Sequence, residues 1–286
     1  MRRLLFATTA LTAAAAFAAP RLFRRAFEPP ARANDGEPSD YGLDGSEMWI
    51  DGPNGRRLHG WWIPTTGSAS AVIVLHGWGG NSSDMLPIGP GLFETGFHTL
   101  FLDARKHGQS DDEDFMSMPR FAEDLEAAVD VLLRRDDVTG IGVIGHSVGA
   151  AASIYAASKN TAIGAVVAVA SFAHPAEMMR ENFPFPEPVT WTILQVIERM
   201  IGHRYDDIAP RNRITEVAAP VMLIHGDADD VIPLKDSIDL HDRLPTSKLV
   251  VVPDGTHSNL DAFEPYFPAV DDFLREHLLP ADVPGG

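Results

Sequence analysis

Short apolar runs alternate with helical patterns along most of this chain, and that alternation is its strongest constraint on the fold. Continuous runs such as Ala71–Leu75 are typical of strands buried on both faces of a sheet. Met118–Arg135 instead carries its apolar residues at helical spacing. Strands that alternate with helices predict a mostly parallel sheet covered by helices on both faces.

About eight strands are expected, and the first two should form an antiparallel hairpin. The predicted strands are Met48–Ile50, Arg56–Ile63, Ala71–Leu75, His98–Leu102, Ile141–Gly145, Gly164–Ala170, Val221–His225 and Lys248–Val252. The predicted helices are Met118–Arg135, Val148–Ser158, Leu234–Leu244 and Ala262–His277.

One connection is longer than the alternation of strands and helices requires. The chain between Ala170 and Val221 far exceeds an ordinary link between a strand and the next element. It contains a helical stripe formed by Trp191, Leu194 and Ile197. We interpret residues 171–215 as a small helical cap over one end of the sheet; the alternative is a helix packed flat on the sheet with no role at a site.

The N-terminal residues differ in composition from the rest of the chain, and the sequence divides into three parts. Arg2 and Arg3 precede the uncharged run Leu4–Ala19, and residues 16–18 form an A-x-A cleavage pattern. We therefore expect residues 1–27 to be a signal peptide or an uncleaved membrane anchor. Either form predicts a protein exported or anchored outside the cytoplasm, and an anchor would associate it with a membrane. Residues 28–45 are predicted to be a linker, and residues 46–280 are predicted to be the folded domain.

Composition excludes several classes of function. The 286 residues carry 23 basic and 40 acidic side chains, a net charge of −17, which argues against nucleic-acid binding. The chain has no cysteine, so disulfides, thiolate metal sites and a cysteine nucleophile are excluded. No phosphate-binding loop or metal-ligand cluster is evident, and we expect no cofactor and no metal.

The residues that indicate chemistry centre on a serine. Residues 145–149 read Gly-His-Ser-Val-Gly, directly after an apolar strand and before a helix of small residues. A sharp strand-to-helix turn presents Ser147 as a nucleophile and needs small neighbours, because the backbone is pinched there. The alternative is an ordinary turn with an incidental serine.

A serine nucleophile needs a base to take its proton and a carboxylate to orient that base. Asp227, Asp229 and Asp230 follow one buried strand, and Asp229 is placed where the loop projects over the sheet. Asp227 could instead brace the turn, and Asp230 suits a solvated position. His257 follows the last strand beside Gly255, and we interpret it as the base.

A tetrahedral intermediate also needs two donors for its oxyanion. We expect the backbone amide of Val148, directly after the serine, to be one of these donors. The glycine-rich loop at residues 76–81 follows the Ala71–Leu75 strand, and the Trp78 amide is the best candidate for the second. The alternative is a glycine-rich turn with no further role.

At this point the sequence resembles the α/β-hydrolase superfamily from about Glu47 to His277, most closely its serine aminopeptidase-like and prolyl-oligopeptidase-like branch. The matching segments are residues 75–80, 103–110, 145–149, 225–233 and 255–259. The resemblance implies that Ser147, Asp229 and His257 form a catalytic triad and that Trp78 and Val148 form the oxyanion hole. It also implies that the loop from Asp103 to Ser110 is structural. Many relatives have glycine at the position of Lys106.

The resulting expectation is a serine hydrolase that cleaves small-molecule esters or other acyl compounds. Trp78, Phe172, Met178 and Met179 are candidate residues of an acyl pocket, although such residues are more often plain core. Thioesterase or acyltransferase activity would use the same triad, and a non-catalytic binding protein would be expected to lack part of it.

An aminopeptidase is the second enzymatic alternative. It would need a carboxylate to hold the substrate ammonium, for which Glu177, Glu181 and Glu187 are available in the cap.

Overall fold

A computed structural model describes residues 28–30, 32–67, 69–182 and 185–279. Its centre is an eight-stranded sheet in the order β1-β2-β4-β3-β5-β6-β7-β8. The strands are β1 (Ser46–Asp51), β2 (Arg57–Ile63), β3 (Ala69–Leu75), β4 (His98–Leu102), β5 (Val138–His146), β6 (Ile163–Val169), β7 (Val221–Gly226) and β8 (Lys248–Val252).

Strand β2 alone runs against the direction of the other seven strands. Strands β1 and β2 form an antiparallel hairpin, and β2 also pairs antiparallel with β4. From β4 onwards every neighbouring pair is parallel. The carboxyl ends of β3, β5, β7 and β8 therefore meet at one edge of the sheet, where the loops after them can converge. The predicted α/β fold with its N-terminal hairpin is confirmed.

Helices cover both faces of this sheet. They are α1 (Ser82–Met85), α2 (Gly89–Glu94), α3 (Met118–Leu132), α4 (Val148–Ala157), α5 (Pro175–Asn182), α6 (Glu187–Ile201), α7 (Tyr205–Ile208), α8 (Pro210–Arg213), α9 (Lys235–Arg243) and α10 (Phe267–Leu278). In β3, Ile73 and Leu75 pack in the core beneath α3 and α4, whereas Val72 and Val74 pack in the core beneath α10. Burial on both faces explains why β3 is a continuous apolar run.

The last helix differs from its prediction. The sequence predicted one helix from Ala262 to His277, but a 3-10 segment, Leu260–Tyr266, precedes α10. Pro265 lies inside that segment, and Pro268 lies in the first turn of α10. Proline suits the first turn of an α-helix and disrupts its interior. The two prolines therefore divide the predicted helix.

Helices α5 to α8 fill the long connection between β6 and β7, where the sequence predicted a cap. A small separate cluster holds it together: Leu194 of α6 is buried with Ala176 of α5 and Tyr205 of α7. Leu194 and Ile197 of the predicted stripe therefore pack within this helical group, which we call the cap, whereas Trp191 is 58% exposed.

Residues 28–45 were predicted as a linker, and the structure shows a different arrangement. Arg32 donates two hydrogen bonds to the carboxylate of Asp84, at 2.9 and 3.1 Å. Asn34 donates to buried Asp103 at 2.9 Å, and a 3-10 turn follows at Pro38–Tyr41. The segment at residues 28–30 and 32–37, which we call the strap, is thus fastened to α1 and to the start of the loop after β4. Polar pairing of this kind leaves no periodic signal in the sequence.

The predicted signal peptide or anchor, residues 1–27, lies outside the described residues. Across the part of the chain that the structure covers, no helix is both long and apolar enough to cross a bilayer.

A buried ion pair joins the loop after β4 to α3. The Arg105 side chain is fully buried, and its Nε lies 2.6 Å from Oδ1 of Asp124, which is equally buried. The other carboxylate oxygen of Asp124 accepts the backbone amide of Arg105 at 2.8 Å. Removing one partner of such a pair leaves a buried charge without compensation.

We expect Arg105→Met to lower the free energy of unfolding by about 3–5 kcal/mol, because Asp124 then stays buried without its cation. Urea denaturation measures the loss. The double variant Arg105→Met/Asp124→Asn removes the stranded charge and keeps an acceptor for the amide of residue 105. It should recover at least half of the loss, and purely additive destabilisation would contradict this account.

Candidate active site

Ser147 lies at a sharp turn between β5 and α4, with φ 55° and ψ −119°. This backbone conformation is strained for a residue with a side chain. The turn packs against neighbouring backbone so closely that a Cβ at Gly145 would lie 2.4 Å from the carbonyl oxygen of Gly149. A Cβ at Gly149 would lie 2.5 Å from the oxygen of His76. The two glycines of the motif are therefore a steric requirement of the turn that presents Ser147.

The loops after β7 and β8 come together in the same way. A Cβ at Gly226 would lie 2.0 Å from the carbonyl oxygen of Gly255. Backbone hydrogen bonds join the two loops, from Asp227 N to Val252 O at 3.0 Å and from Ala228 N to Gly255 O at 3.1 Å. This junction fixes the loop of Asp229 beside the loop of His257.

Ser147, His257 and Asp229 form a continuous chain of hydrogen bonds. Nε2 of His257 lies 3.0 Å from Oγ of Ser147, and Nδ1 lies 2.8 Å from Oδ2 of Asp229. Ser147 and His257 are each 9% exposed, and the Asp229 side chain is 1% exposed. The structure therefore brings together the three side chains that the sequence singled out, within proton-transfer distance and largely screened from water.

The charge state of Asp229 determines which atoms donate and which accept in these hydrogen bonds. Burial acts to raise the pKa of Asp229, but hydrogen bonds from His225, His257 and the amide of Ile232 outweigh it and hold that pKa well below its usual range. Asp229 is thus a carboxylate, which can only accept, so Nδ1 of His257 carries the proton. In the neutral ring, Nε2 is then free to accept the hydroxyl proton of Ser147.

The three competing carboxylates have different positions. Asp229 bonds to the His257 ring, while its other oxygen accepts the amides of Val231 and Ile232. Asp227 accepts the amide of Asp254 at 2.7 Å and so braces the loop of the histidine. Asp230 is exposed. Asp229 is therefore the carboxylate placed to orient the imidazole.

The glycine-rich loop after β3 lies directly against the serine. A Cβ on Gly77 would lie 3.2 Å from Cβ of Ser147, so the missing side chain is what allows this approach. His76 is buried, and its Nδ1 donates to the Gly77 carbonyl at 2.7 Å while its Nε2 accepts the Ala104 amide at 3.1 Å. Since carbonyl and amide of one peptide point in opposite directions, the Trp78 N–H points away from His76.

Other amides of this loop are already engaged. Gly79 N donates to Nε2 of His107 at 3.2 Å, and Gly80 N donates to the Gly77 carbonyl at 3.2 Å. Val148 is the first residue of α4, and the first amides of a helix have no partner within it. Val148 and Trp78 both line the cavity that contains Ser147. Their role as oxyanion donors stays a prediction.

The strap braces this loop from outside. Asn34 donates to Oγ of Ser82 at 3.1 Å, and Asn81 donates to the carbonyl of Ala33 at 3.1 Å. A Cβ on Gly79, which has φ 70°, would lie 2.8 Å from the ring of Pro30. Sequence reasoning missed these contacts.

Two further histidines support the site. Nε2 of His146 lies 3.0 Å from the backbone carbonyl of His257, so His146 steadies the loop of the base. Nε2 of His225 lies 3.4 Å from Oδ2 of Asp229, and its Nδ1 lies 2.7 Å from Oγ of Ser237. Neither contact was predicted from the sequence.

Lys106 stands where the resemblance leads one to expect glycine. Its φ of 64° lies in the left-handed region that glycine adopts without strain. Its Nζ lies 2.9 Å from a carboxylate oxygen of Asp112, 2.9 Å from the carbonyl of Glu113 and 3.8 Å from the carboxylate of Glu28. The first two contacts lie within the loop after β4, and the third attaches that loop to the strap.

A cavity of about 470 Å³ opens beside Ser147 between the sheet and the cap. The four side chains predicted for an acyl pocket, Trp78, Phe172, Met178 and Met179, all line it. Residues that the sequence analysis did not identify also contribute. They are Glu28, Phe115, Met116, Ser117, Met118, Pro119, Pro175, Asn182, Ile197, Met200, Ile201, Tyr205, Ile208, Val231 and Ile232.

The carboxylates considered for an aminopeptidase are engaged elsewhere. Glu177 pairs with Arg211, and Glu181 pairs with Lys235. Glu187 is exposed and lies 3.9 Å from Arg180. None of the three is among the residues that line the cavity in the described structure. The described residues also contain no group of three or more acidic or histidine side chains arranged to hold a metal ion.

Comparison with known proteins identifies the family of this chain. A sequence model of the family described as serine aminopeptidase, S33 matches residues 67–210, and one described as TAP-like protein matches residues 201–285. YfhR of Escherichia coli (strain K12) is 30% identical over 244 residues, 79% of each chain.

Solved structures share the fold. The Pyrococcus furiosus esterase Pf2001 superposes with a TM-score of 0.72 at 25% identity, covering 88% of this chain and 98% of that one. Est1E from Butyrivibrio proteoclasticus, solved with ferulic acid, superposes with a TM-score of 0.69 at 24% identity, over 80% and 98% of the two chains.

Fold and site together define a hydrolase of the α/β-hydrolase superfamily. Within it, the chain belongs to the serine aminopeptidase S33 family.

A fluorophosphonate probe should label the folded protein at Ser147, because the hydroxyl is presented at the cavity with a base 3.0 Å away. His257→Ala removes that base and should slow labelling by about 10³-fold or more. Peptide mass mapping identifies the labelled residue, and circular dichroism verifies the fold of the variant. Equal labelling rates in the two proteins would contradict the assignment of His257 as the base.

Proposed function

We propose that this protein is a carboxylic-ester hydrolase that acts through an acyl-enzyme on Ser147. The observation that carries the proposal is the hydrogen-bonded chain from Asp229 through His257 to Ser147, beside an apolar cavity. A hydroxyl that can pass its proton to an oriented imidazole is the requirement for attack on an acyl carbon.

The reaction follows from these positions. Oγ of Ser147 attacks the ester carbonyl carbon while Nε2 of His257 takes the hydroxyl proton, and the carbonyl oxygen becomes an oxyanion that the Trp78 and Val148 amides stabilise. The carbon–oxygen bond to the alcohol then breaks, and His257 returns its proton to the leaving oxygen. Water repeats the sequence on the acyl-enzyme and releases the acid. Asp229 stays ionised and stabilises the imidazolium in both halves.

The lining of the cavity supports an ester over an aminoacyl substrate. Glu28 is its one carboxylate among the described residues, and that carboxylate already lies 3.8 Å from Nζ of Lys106. A substrate ammonium buried in the cavity would thus lack a dedicated anion, and an unpaired buried charge is costly.

The sequence pattern of residues 1–27 supports a further part of this proposal, that the protein is exported or anchored in a membrane.

Ester turnover should disappear in Ser147→Ala, by about 10⁶-fold in kcat, because the nucleophile is absent. The assay compares a chromogenic ester panel with aminoacyl arylamides on wild type and variant. Esters should be cleaved and arylamides should not. Arylamide turnover without ester turnover would favour the aminopeptidase, and the absence of turnover on every substrate would favour a binding protein.

The acid limb of log kcat/KM against pH should have a slope of one. Burial lowers the pKa of His146 to about 4 and that of His107 to about 3, so both rings stay neutral between about pH 5 and pH 8. Burial also lowers the pKa of His76. Asp229 stays ionised there. We therefore expect a single titrating group to account for the acid limb. A slope of two would show a second group titrating with it.

Asp229→Asn should lower kcat by about 10⁴-fold with little change in fold, because an amide no longer fixes the tautomer of His257. Asp227→Asn is the matched control, since it alters a neighbouring carboxylate that accepts only the amide of Asp254. Stopped assays on one ester measure both variants. A larger loss in the control than in Asp229→Asn would contradict the assignment.

A further inference from the structure

The walls of the cavity beside Ser147 are unusually rich in methionine. Of the nine methionines in the chain, five line this one cavity. They are Met116, Met118, Met178, Met179 and Met200. Met116 precedes α3 and Met118 begins it, while the other three lie in the cap, so the methionines come from two separate parts of the wall.

Methionine gives a wall that adapts to its contents. Its unbranched side chain has several rotatable bonds and a polarizable sulfur, so it fills irregular gaps and tolerates different neighbours. A rigid aromatic acyl group is held best by a preformed slot, whereas a flexible chain of variable length suits walls that can rearrange. The methionine content therefore favours flexible aliphatic chains.

The charges of the cavity exclude an anionic acyl group. Its lining holds no lysine or arginine among the described residues, and its one carboxylate is Glu28. A second carboxylate on the acyl chain would be buried without a cation and would meet a chain with a net charge of −17. The acyl group that fits is uncharged.

The size of the cavity allows an acyl chain longer than acetyl. A volume of about 470 Å³ is much larger than an acetyl group needs, and pockets for drug-sized ligands measure about 300–1,000 Å³. The space therefore accommodates an acyl chain of medium length beside the ester group.

We propose that the preferred substrates are esters of uncharged, flexible aliphatic acids of medium length, with the acyl chain lying between the methionines of α3 and the cap. This inference rests on the proposed ester hydrolysis and adds the class of acyl group. Met200 of α6 is a specificity-determining residue in this account.

The first test needs no variant. The kcat/KM of wild type is measured on p-nitrophenyl acetate, butyrate, hexanoate, octanoate and decanoate, with the cinnamate and monosuccinate esters as comparators. Each added methylene should raise kcat/KM by roughly fourfold up to a maximum near octanoate, since burying a methylene contributes about 0.8 kcal/mol. The succinate and cinnamate esters should be poorer than octanoate by tenfold or more.

The second test changes the length of the cavity. Met200→Trp places a larger side chain in the wall and should lower the ratio of octanoate to butyrate kcat/KM by about tenfold, because overpacking excludes the longer chain. The matched control Met200→Leu keeps an apolar side chain of similar volume and should hold the ratio within about twofold. The ratio is independent of the fraction of active enzyme.

A flat chain-length profile, a maximum at acetate or a preference for cinnamate would overturn this inference and leave ester hydrolysis standing. An unchanged ratio in Met200→Trp would overturn the placement of the chain against α6. Absence of turnover on every ester would remove the proposed function and this inference together.

Discussion

The site depends on how closely the backbone segments at the carboxyl edge of the sheet can approach one another. Gly149 packs on the carbonyl of His76, Gly77 packs on Ser147, and Gly226 packs on Gly255. Any side chain at these glycines would separate the loops by several tenths of an ångström or more. Hydrogen bonds between the loops after β7 and β8 then hold Asp229 and His257 in register with the serine. The sheet supplies the edge, and the glycines allow the loops to meet there.

Buried histidines give this edge its rigidity without adding charge. His76 and His107 each use one ring nitrogen as a donor to a carbonyl and the other as an acceptor from an amide, which fixes both tautomers. Burial keeps their pKa values below the ordinary range, as it does for His146. The Asp229 carboxylate lies 2.8 Å from Nδ1 of His257, so its charge acts directly on the base. A preorganised arrangement of this kind is what stabilises developing charge in a reaction.

The sequence predicted most of the fold because apolar periodicity directly reports burial, as in β3 and α3. The serine, its base and its carboxylate could also be predicted, since each follows a strand at a sharp turn. The strap could not: Arg32 and Asn34 meet Asp84 and Asp103 through long-range polar contacts that no local pattern records. The same holds for the cavity lining, where Met116 and Met200 come from elements far apart in the chain.

The close approach of these loops assembles one preorganised site around Ser147. A crystal structure of the phosphonate adduct is the decisive measurement. The phosphorus should be bonded to Oγ of Ser147, with one phosphoryl oxygen about 2.7–3.1 Å from the amide nitrogens of both Trp78 and Val148. An adduct whose phosphoryl oxygen faces solvent, or a phosphorus bonded to a different residue, would contradict this arrangement.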